Sequence, residues 1–365
     1  MEFMYNHAHL PKDQKLLIDI NSAASRLFDK LRTFNIKALD ISDYNKRYFG
    51  GKLASLSRCL QLCSYILAWS LAKSVTPIRK FVFLDYGGGS GMLSLLAKEL
   101  DIGTVIYNDI YDVSCRDSKL IAESVGNEAN YYVQGDIDDV MTFLRTRNIN
   151  CNAVASYDVI EHIYDIEYFF ERISFFSGGP LTVVMSSGAN TSNPLIRRKE
   201  IKKQLEVEYK DREKKLGHKE RDCLKSFLKV RKEMIYEYLQ EIDKELTKEK
   251  ITQLASNTRG MIEADIQKCV DEYLNTGKSF PKLSHPTNTC DPYTGNWAEH
   301  LMDPYYLANI LSKTGFRVKI LSGYYGHSEN IIKRFLGRFL DIAIYISQKQ
   351  GIRIAPFYTV YGRRD

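Results

Sequence analysis

Residues 81–93, FVFLDYGGGSGML, place Gly87, Gly88, Gly89 and Gly91 directly after an apolar run that ends in Asp85. Phe81–Leu84 shows no two-fold alternation, as expected for a strand buried on both faces. Met92, Leu93, Leu95 and Leu96 then recur at helical spacing. A buried strand that turns through glycine into a helix is a place to hold something small and charged or polar, and the spacing selects among ligands. The dinucleotide pattern Gly-x-Gly-x-x-Gly, started at Gly87, meets Gly89 and then Met92; started at Gly88, it needs a glycine at Ser90. Both fail. No Gly-Lys-Ser/Thr follows, which excludes a phosphate loop of the nucleotide-hydrolase kind. Asp85, two residues ahead of the first glycine, would repel a pyrophosphate and suits a cationic or zwitterionic ligand.

Three more acids close apolar runs downstream: Asp109 in VIYNDI, Asp136 in YYVQGDID and Asp158 in ASYDVIEHI. The elements that must position them alternate from Lys80 to Ser187. Strands are expected at Phe81–Asp85, Thr104–Asp109, Asn130–Gly135, Ala153–Tyr157 and Leu181–Ser186. Helical patterns separate them at Met92–Leu100, Cys115–Ser124, Asp138–Arg147 and Ile166–Phe176. This order predicts an α/β fold with a doubly wound, mostly parallel sheet. The pattern resumes near residue 300 with a helix capped by Asp303 and Pro304. A strand at Phe316–Leu321, a helix at Ile331–Ile346 and a strand at Pro356–Tyr361 would bring the sheet to seven strands.

Outside the sheet, residues 1–79 read as an N-terminal helical cap, with a second helix from Leu53 to Lys73 and a break at DYNKRYFGGKL. Residues 191–299 form a helical insertion after the fifth strand, dense in interleaved charge and carrying an apolar stripe between Leu224 and Leu246. The Rossmann-like domain then comprises residues 80–190 and 300–365.

The stretch Asp85-Tyr86-Gly87-Gly88-Gly89-Ser90-Gly91 resembles the D/E-x-G-x-G-x-G loop of class I methyltransferases, which use S-adenosylmethionine. The resemblance covers about residues 80–187 and 303–361 and implies the seven-stranded class I methyltransferase fold. It implies that Asp85 and the four glycines hold the cofactor, and that Asp109 accepts from the ribose hydroxyls. Tyr111 and Asp112 take that role if the strand ends two residues later. Asp136, with Asp138 and Asp139 as competitors, would meet the adenine amino group, and Asp158 would lie beside the methionine part. Ile110 and Ile137 are counted in the same cofactor site.

DVIEHIYD is similar to the D-x-x-E-H segment that follows the fourth strand in many small-molecule members of the family. The resemblance puts His162 on the substrate side. Methyl transfer from a sulfonium is an in-line displacement that needs alignment and removal of a proton from the nucleophile. A histidine titrating near neutrality suits that proton, so His162 is the candidate general base, with Glu161 beside it. The other reading of the pair is that they bind polar groups of the substrate or cap the next helix. Residues 285–304 mix His285, Tyr293, Asn296, Trp297, Glu299 and His300, a combination of aromatic faces and polar rims that can hold a sugar ring. A polar surface loop with one buried tryptophan is the plainer reading. Tyr44, Arg47 and Tyr48 could cover the cofactor, as N-terminal aromatic residues do in relatives, or simply pack; Tyr48 is also counted with Tyr293, Trp297 and His300 in the acceptor site. The expected reaction is O-methylation of a saccharide, glycolipid or other small metabolite. N- or C-methylation of a small molecule or protein side chain, or a silent methyltransferase fold that recruits a partner, remain as alternatives.

The bulk properties bound the partners. The chain has 365 residues, 44% hydrophobic and 26% charged, with a net charge of +6. That charge is mild, and no basic stripe interleaved with aromatics argues for nucleic acid. No signal peptide or spanning segment is legible, and seven scattered cysteines form no zinc pattern. A cytoplasmic protein without a bound metal is the expectation. The insertion stripe could form a homodimer or pack on its own domain. The basic amphipathic segment around Ile331, Phe335, Phe339, Ile342 and Ile346 could lie on anionic lipid, but the strand that follows favours packing on the sheet.

Overall fold

The computed structural model describes residues 3–4, 8–212, 224–278, 289–326 and 331–365. His285 lies outside them. Two compact units emerge: the first comprises residues 1–160, 166–193 and 303–365, the second residues 161–165 and 194–302.

In the first unit α1 (Gln14–Leu31), α2 (Asp43–Ala54) and α3 (Leu56–Leu71) precede the sheet. Then follow β1 (Val82–Asp85), α4 (Met92–Glu99), β2 (Thr104–Asp109), α5 (Asp112–Val125), β3 (Tyr131–Gln134), α6 (Ile137–Thr146), β4 (Ala153–Tyr157), α7 (Ile166–Ser174) and β5 (Leu181–Ser187). The helices α8 (Pro194–Tyr209), α9 (Phe227–Glu241), α10 (Lys248–Asn257) and α11 (Glu263–Thr276) belong to the second unit. The chain returns to the first unit with α12 (Pro304–Lys313), β6 (Arg317–Ser322), α13 (Ile331–Ser347) and β7 (Tyr358–Arg364).

The expected seven-stranded sheet is present, in the order β3-β2-β1-β4-β5-β7-β6. Strands β1 to β5 are parallel, and β7 runs antiparallel to both β5 and β6. Winding outward from β1 to β3 and then crossing to β4 puts the topological switch point between β1 and β4, where ligands sit in such sheets. Asp85 lies level with Tyr107 on β2 and Ala155 on β4, so the loops leaving all three strands open at one edge. The apolar runs explain the layering: Phe83, Leu84, Val105, Ile106, Val154 and Val183 are fully buried. As expected, Asp303 caps α12, accepting from the Tyr305 amide at 2.9 Å, with Pro304 in the first turn.

Two expectations are corrected here. DYNKRYFGGKL does not break the helical pattern; it forms α2, with Gly50 and Gly51 inside it. The glycine cost, about 1 kcal/mol each in a helix interior, is offset by ties from outside. Ser42 caps the helix, and Asp117 on α5 accepts from the Ser42 amide at 3.0 Å, its hydroxyl at 2.5 Å and the Asn45 side-chain amide at 2.8 Å. The apolar stripe of α13 does not pack on the sheet either. Ile331 is 78% exposed, Phe335 80% and Ile346 72%, while the face turned inward carries Gly337, Asp341 and Ile344. The helix is anchored by the Asp341 carboxylate, which accepts from the amides of Tyr325 at 2.6 Å and Gly326 at 3.1 Å.

The second unit has its own core, in which Val230, Met234, Ile235 and Leu239 of α9 meet apolar residues of α10 and α11. The stripe read from the sequence is thus covered within this unit. Arg231, on the same helix, is fully buried; it donates to the Ala255 carbonyl at 2.8 Å and pairs with Glu208 of α8. Among the described residues, no helix is long and apolar enough to cross a membrane, and the six described cysteines are unbridged.

Candidate cofactor crevice and catalytic cluster

In the first unit the glycine loop joins β1 to α4 at the switch point. A side chain at Gly88 would meet the Tyr107 ring at 2.6 Å and Asp85 Oδ2 at 2.9 Å. Gly91 starts α4 in the left-handed region at φ 75°, with Ser118 Oγ where a Cβ would stand. Glycine is required on both counts. Tyr107, which no motif marks, supports the loop from below: its hydroxyl donates to the Gly89 carbonyl at 2.6 Å.

Asp85 is buried, and its Oδ2 accepts from the Ser94 amide at 3.0 Å and the Ser94 hydroxyl at 2.7 Å. Burial pushes its carboxyl up to about 7, against these two bonds, and the nearby Asp109 adds to the rise. Asp109 ends β2 as expected. Its Oδ2 accepts from the Gly89 amide at 3.1 Å and its Oδ1 from the Tyr111 amide at 3.0 Å. Ile110, next in the chain, is 45% exposed. Asp112 begins α5.

Asp136 caps α6: its Oδ1 accepts from the amides of Asp138 at 2.8 Å and Asp139 at 3.3 Å, and Asp139 returns the bond to the Asp136 amide. It stands exposed at the end of β3, and Ile137 behind it is buried. Asp158 follows β4 with φ 53°, a backbone conformation few non-glycine residues adopt and one that collects at functional sites. Its Oδ1 accepts from the Gly188 amide at 2.7 Å, bridging the ends of β4 and β5.

Tyr48 stands on α2 with its ring edge 3.3 Å from where a Gly89 Cβ would be, stacked on Tyr44 at 5.9 Å between centroids. Lys52, one turn on, was not foreseen. Its Nζ lies 5.1 Å from the Tyr48 ring centre and 5.9 Å from that of Tyr157. Burial works against its charge, yet Tyr48, Cys59, Cys63 and Asp158 hold it protonated, above the ordinary lysine range. A lone lysine on a segment read as a helix break gave no signal for this.

In the second unit, Glu161–His162 and residues 297–300 run side by side. The Trp297 amide donates to the His162 carbonyl at 3.2 Å and the His300 amide to the Glu161 carbonyl at 3.1 Å. His162 Nδ1 lies 2.7 Å from the Trp297 carbonyl oxygen. A carbonyl only accepts, so Nδ1 carries the proton and the neutral ring presents Nε2 as its basic atom. Trp297 stacks on His300 at 4.4 Å and on Tyr164 at 5.5 Å, and its indole N–H donates to the Tyr164 carbonyl at 3.3 Å. Of the aromatic residues expected at a sugar, Trp297 therefore has protein rings as stacking partners, whereas Tyr293 is 59% exposed. Glu299, itself left-handed at φ 63°, brings a carboxylate to Glu161 and His162, with one ligating atom of each within 4.8 Å of the others. This trio has the donor types of a divalent-cation site, though Lys203 Nζ already lies 3.4 Å from Glu299 Oε1.

The fold so defined is the class I methyltransferase fold. No family model matches the chain, and no curated protein matches it. Solved structures do resemble it. One is a SAM-dependent methyltransferase from Archaeoglobus fulgidus, 14% identical, covering 78% of this chain and 86% of its own with a TM-score of 0.34. A second is an S-adenosylmethionine-dependent methyltransferase from Mesorhizobium loti, 12% identical, covering 79% and 94% with a TM-score of 0.35. A third is the carbon methyltransferase CurJ, 10% identical, covering 94% and 66% with a TM-score of 0.38. At these identities and scores the likeness assigns neither a substrate nor a residue's role.

Proposed function

We propose that the protein is an S-adenosylmethionine-dependent methyltransferase that methylates a hydroxyl of a small acceptor, with a saccharide as the leading class. The observation that carries the reading is Asp109, an acid at the end of β2 whose two oxygens are fixed by the amides of Gly89 and Tyr111. A carboxylate held in this way is pre-set to accept from two adjacent ribose hydroxyls. The cradle fits the rest of the cofactor. Glycines at 87, 88, 89 and 91 let backbone approach closely, and Asp85 and Asp158 give the crevice a sign that suits a sulfonium and an ammonium, not a pyrophosphate. Asp136 is assigned to the adenine amino group, with Ile110 and Ile137 flanking the base. Tyr48 covers the loop.

When bound, the cofactor supplies an electrophilic methyl group. The chain's part is to align the acceptor and take its proton. We assign that proton to Nε2 of His162, four residues beyond Asp158 in the chain, because Trp297 fixes the tautomer and ring orientation. Glu161 positions this segment. Tyr293, Trp297 and His300 are the residues we assign to the acceptor.

The test is to incubate the protein with S-adenosylmethionine and a panel of sugar nucleotides and free saccharides, reading S-adenosylhomocysteine release and a gained methyl mass. Turnover on a hydroxylic sugar supports the reading. Turnover only on amines or activated carbon acids overturns the O-methyl assignment, and cofactor binding without turnover on any class favours a silent scaffold.

A further inference from the structure

A soluble fold normally turns the apolar face of a surface helix inward, and α13 does the reverse. Ile331, Ile332, Phe335, Leu336, Phe339 and Ile346 are between 57% and 80% exposed. At helical spacing they form one continuous stripe on the side opposite Gly337, Asp341 and Ile344. The inward face is anchored by the Asp341 carboxylate on two backbone amides, with Ile344 as its buried apolar side chain. An apolar stripe of this length, presented by a polar anchor, marks a surface that meets another phase or another molecule.

Charge selects the occupant. Between Ile331 and Ser347 the charged residues are Lys333, Arg334, Arg338 and Asp341, and Asp341 is fully buried. The exposed part of the helix therefore carries positive charge alone, with Arg334 and Arg338 along one edge of the stripe. Tyr345, on that same edge, lines a groove of about 820 Å³ that also holds Lys12 and Lys319, extending the positive rim. Phenylalanine and isoleucine on the open face with arginine and lysine at its margin is the composition of a helix that lies in the headgroup region of an anionic membrane. A second copy of the chain fits less well. Antiparallel pairing of α13 would bring Arg338, near the middle of the helix, against its own counterpart, with no exposed acid on the helix to answer it.

We propose that α13 docks the protein on anionic lipid bilayers, with the apolar stripe at the acyl boundary and the basic edge among the headgroups. The docking surface lies wholly in the first unit and does not depend on the reading of the active site. It deepens that reading in one respect, since it would hold the catalytic chain where amphiphilic acceptors are found.

The experiment is flotation of the full chain with vesicles of phosphatidylcholine alone and of phosphatidylcholine with about a third phosphatidylglycerol, alongside sedimentation velocity without lipid. The expected result is binding to the anionic vesicles at least ten-fold tighter than to the neutral ones, weakened by salt. Phe335→Glu with Phe339→Glu should abolish it, and Arg338→Glu should weaken it about ten-fold, with unfolding temperatures unchanged because these side chains are exposed. Equal affinity for both vesicle types, no binding to either, or a dimer that Phe335→Glu with Phe339→Glu dissolves would each overturn the proposal. S-adenosylmethionine binding measured on the same variants separates this outcome from failure of the catalytic reading.

Discussion

Gly89 donates its backbone N–H to Oδ2 of Asp109 at 3.1 Å, so the acid assigned to the ribose is also a strut of the loop assigned to the methionine part. A loop that glycine makes pliable is thereby fixed by its neighbour strand, and the two halves of the crevice are one mechanical piece.

Asp109→Ala should remove both the ribose acceptor and the strut. Two hydrogen bonds to a charged group are worth about 3 kcal/mol together, so S-adenosylmethionine affinity should fall roughly a hundred-fold. Isothermal titration checks it, with circular dichroism confirming an unchanged fold. An affinity within two-fold of the parent would remove Asp109 from the site.

Asp85 should leave a signature in stability against pH. Its carboxyl is pushed up to about 7 in the folded chain, against about 3.9 for an unfolded aspartate. Between these values the folded state binds more protons, so this group's contribution is full in acid and is lost as pH rises through 7. Asp85→Asn removes that loss. Its urea midpoint should exceed the parent's at about pH 8, and the gap should close towards about pH 4. A gap independent of pH would contradict the assignment.

His162→Ala should lower kcat by about 10²–10⁴-fold, the usual span for a general base, and flatten the acid limb of the pH–rate profile. Cofactor affinity should not move. Unchanged turnover on the true acceptor would return His162 to a structural role.

The second unit rests on a buried ion pair. Arg231→Ala leaves the buried Glu208 with only the longer Arg259 contact at 3.9 Å and the Thr289 hydroxyl at 3.0 Å, which should cost about 3 kcal/mol and lower the unfolding temperature in calorimetry. Arg231→Met with Glu208→Leu should recover most of that loss. Equal destabilisation by both would mean that shape, not charge, sets the cost.

How much of this was legible follows from the range over which each signal acts. The ends of β1, β2 and β4 show in the sequence because an acid closes each apolar run, and the glycine loop shows because its spacing is local. The helix α2 did not, since Gly50–Gly51 argue against it locally while Asp117, contributed by α5, holds its start. Glu299 and the Trp297 carbonyl join His162 across well over a hundred residues, and no spacing rule reaches that far. The stripe of α13 was visible as a pattern, but pattern alone assumes that apolar means inward. The deciding residue was Asp341, whose bonds to Tyr325 and Gly326 turn the helix over.

Most directly at stake is which cofactor occupies the crevice between β1 and β4. Titrating the purified chain separately with S-adenosylmethionine and with NAD⁺ decides it. Saturable one-to-one binding of the former, weakened about a hundred-fold in Asp109→Ala and absent for the dinucleotide, is the predicted result; binding of NAD⁺ with no heat from S-adenosylmethionine would contradict the account.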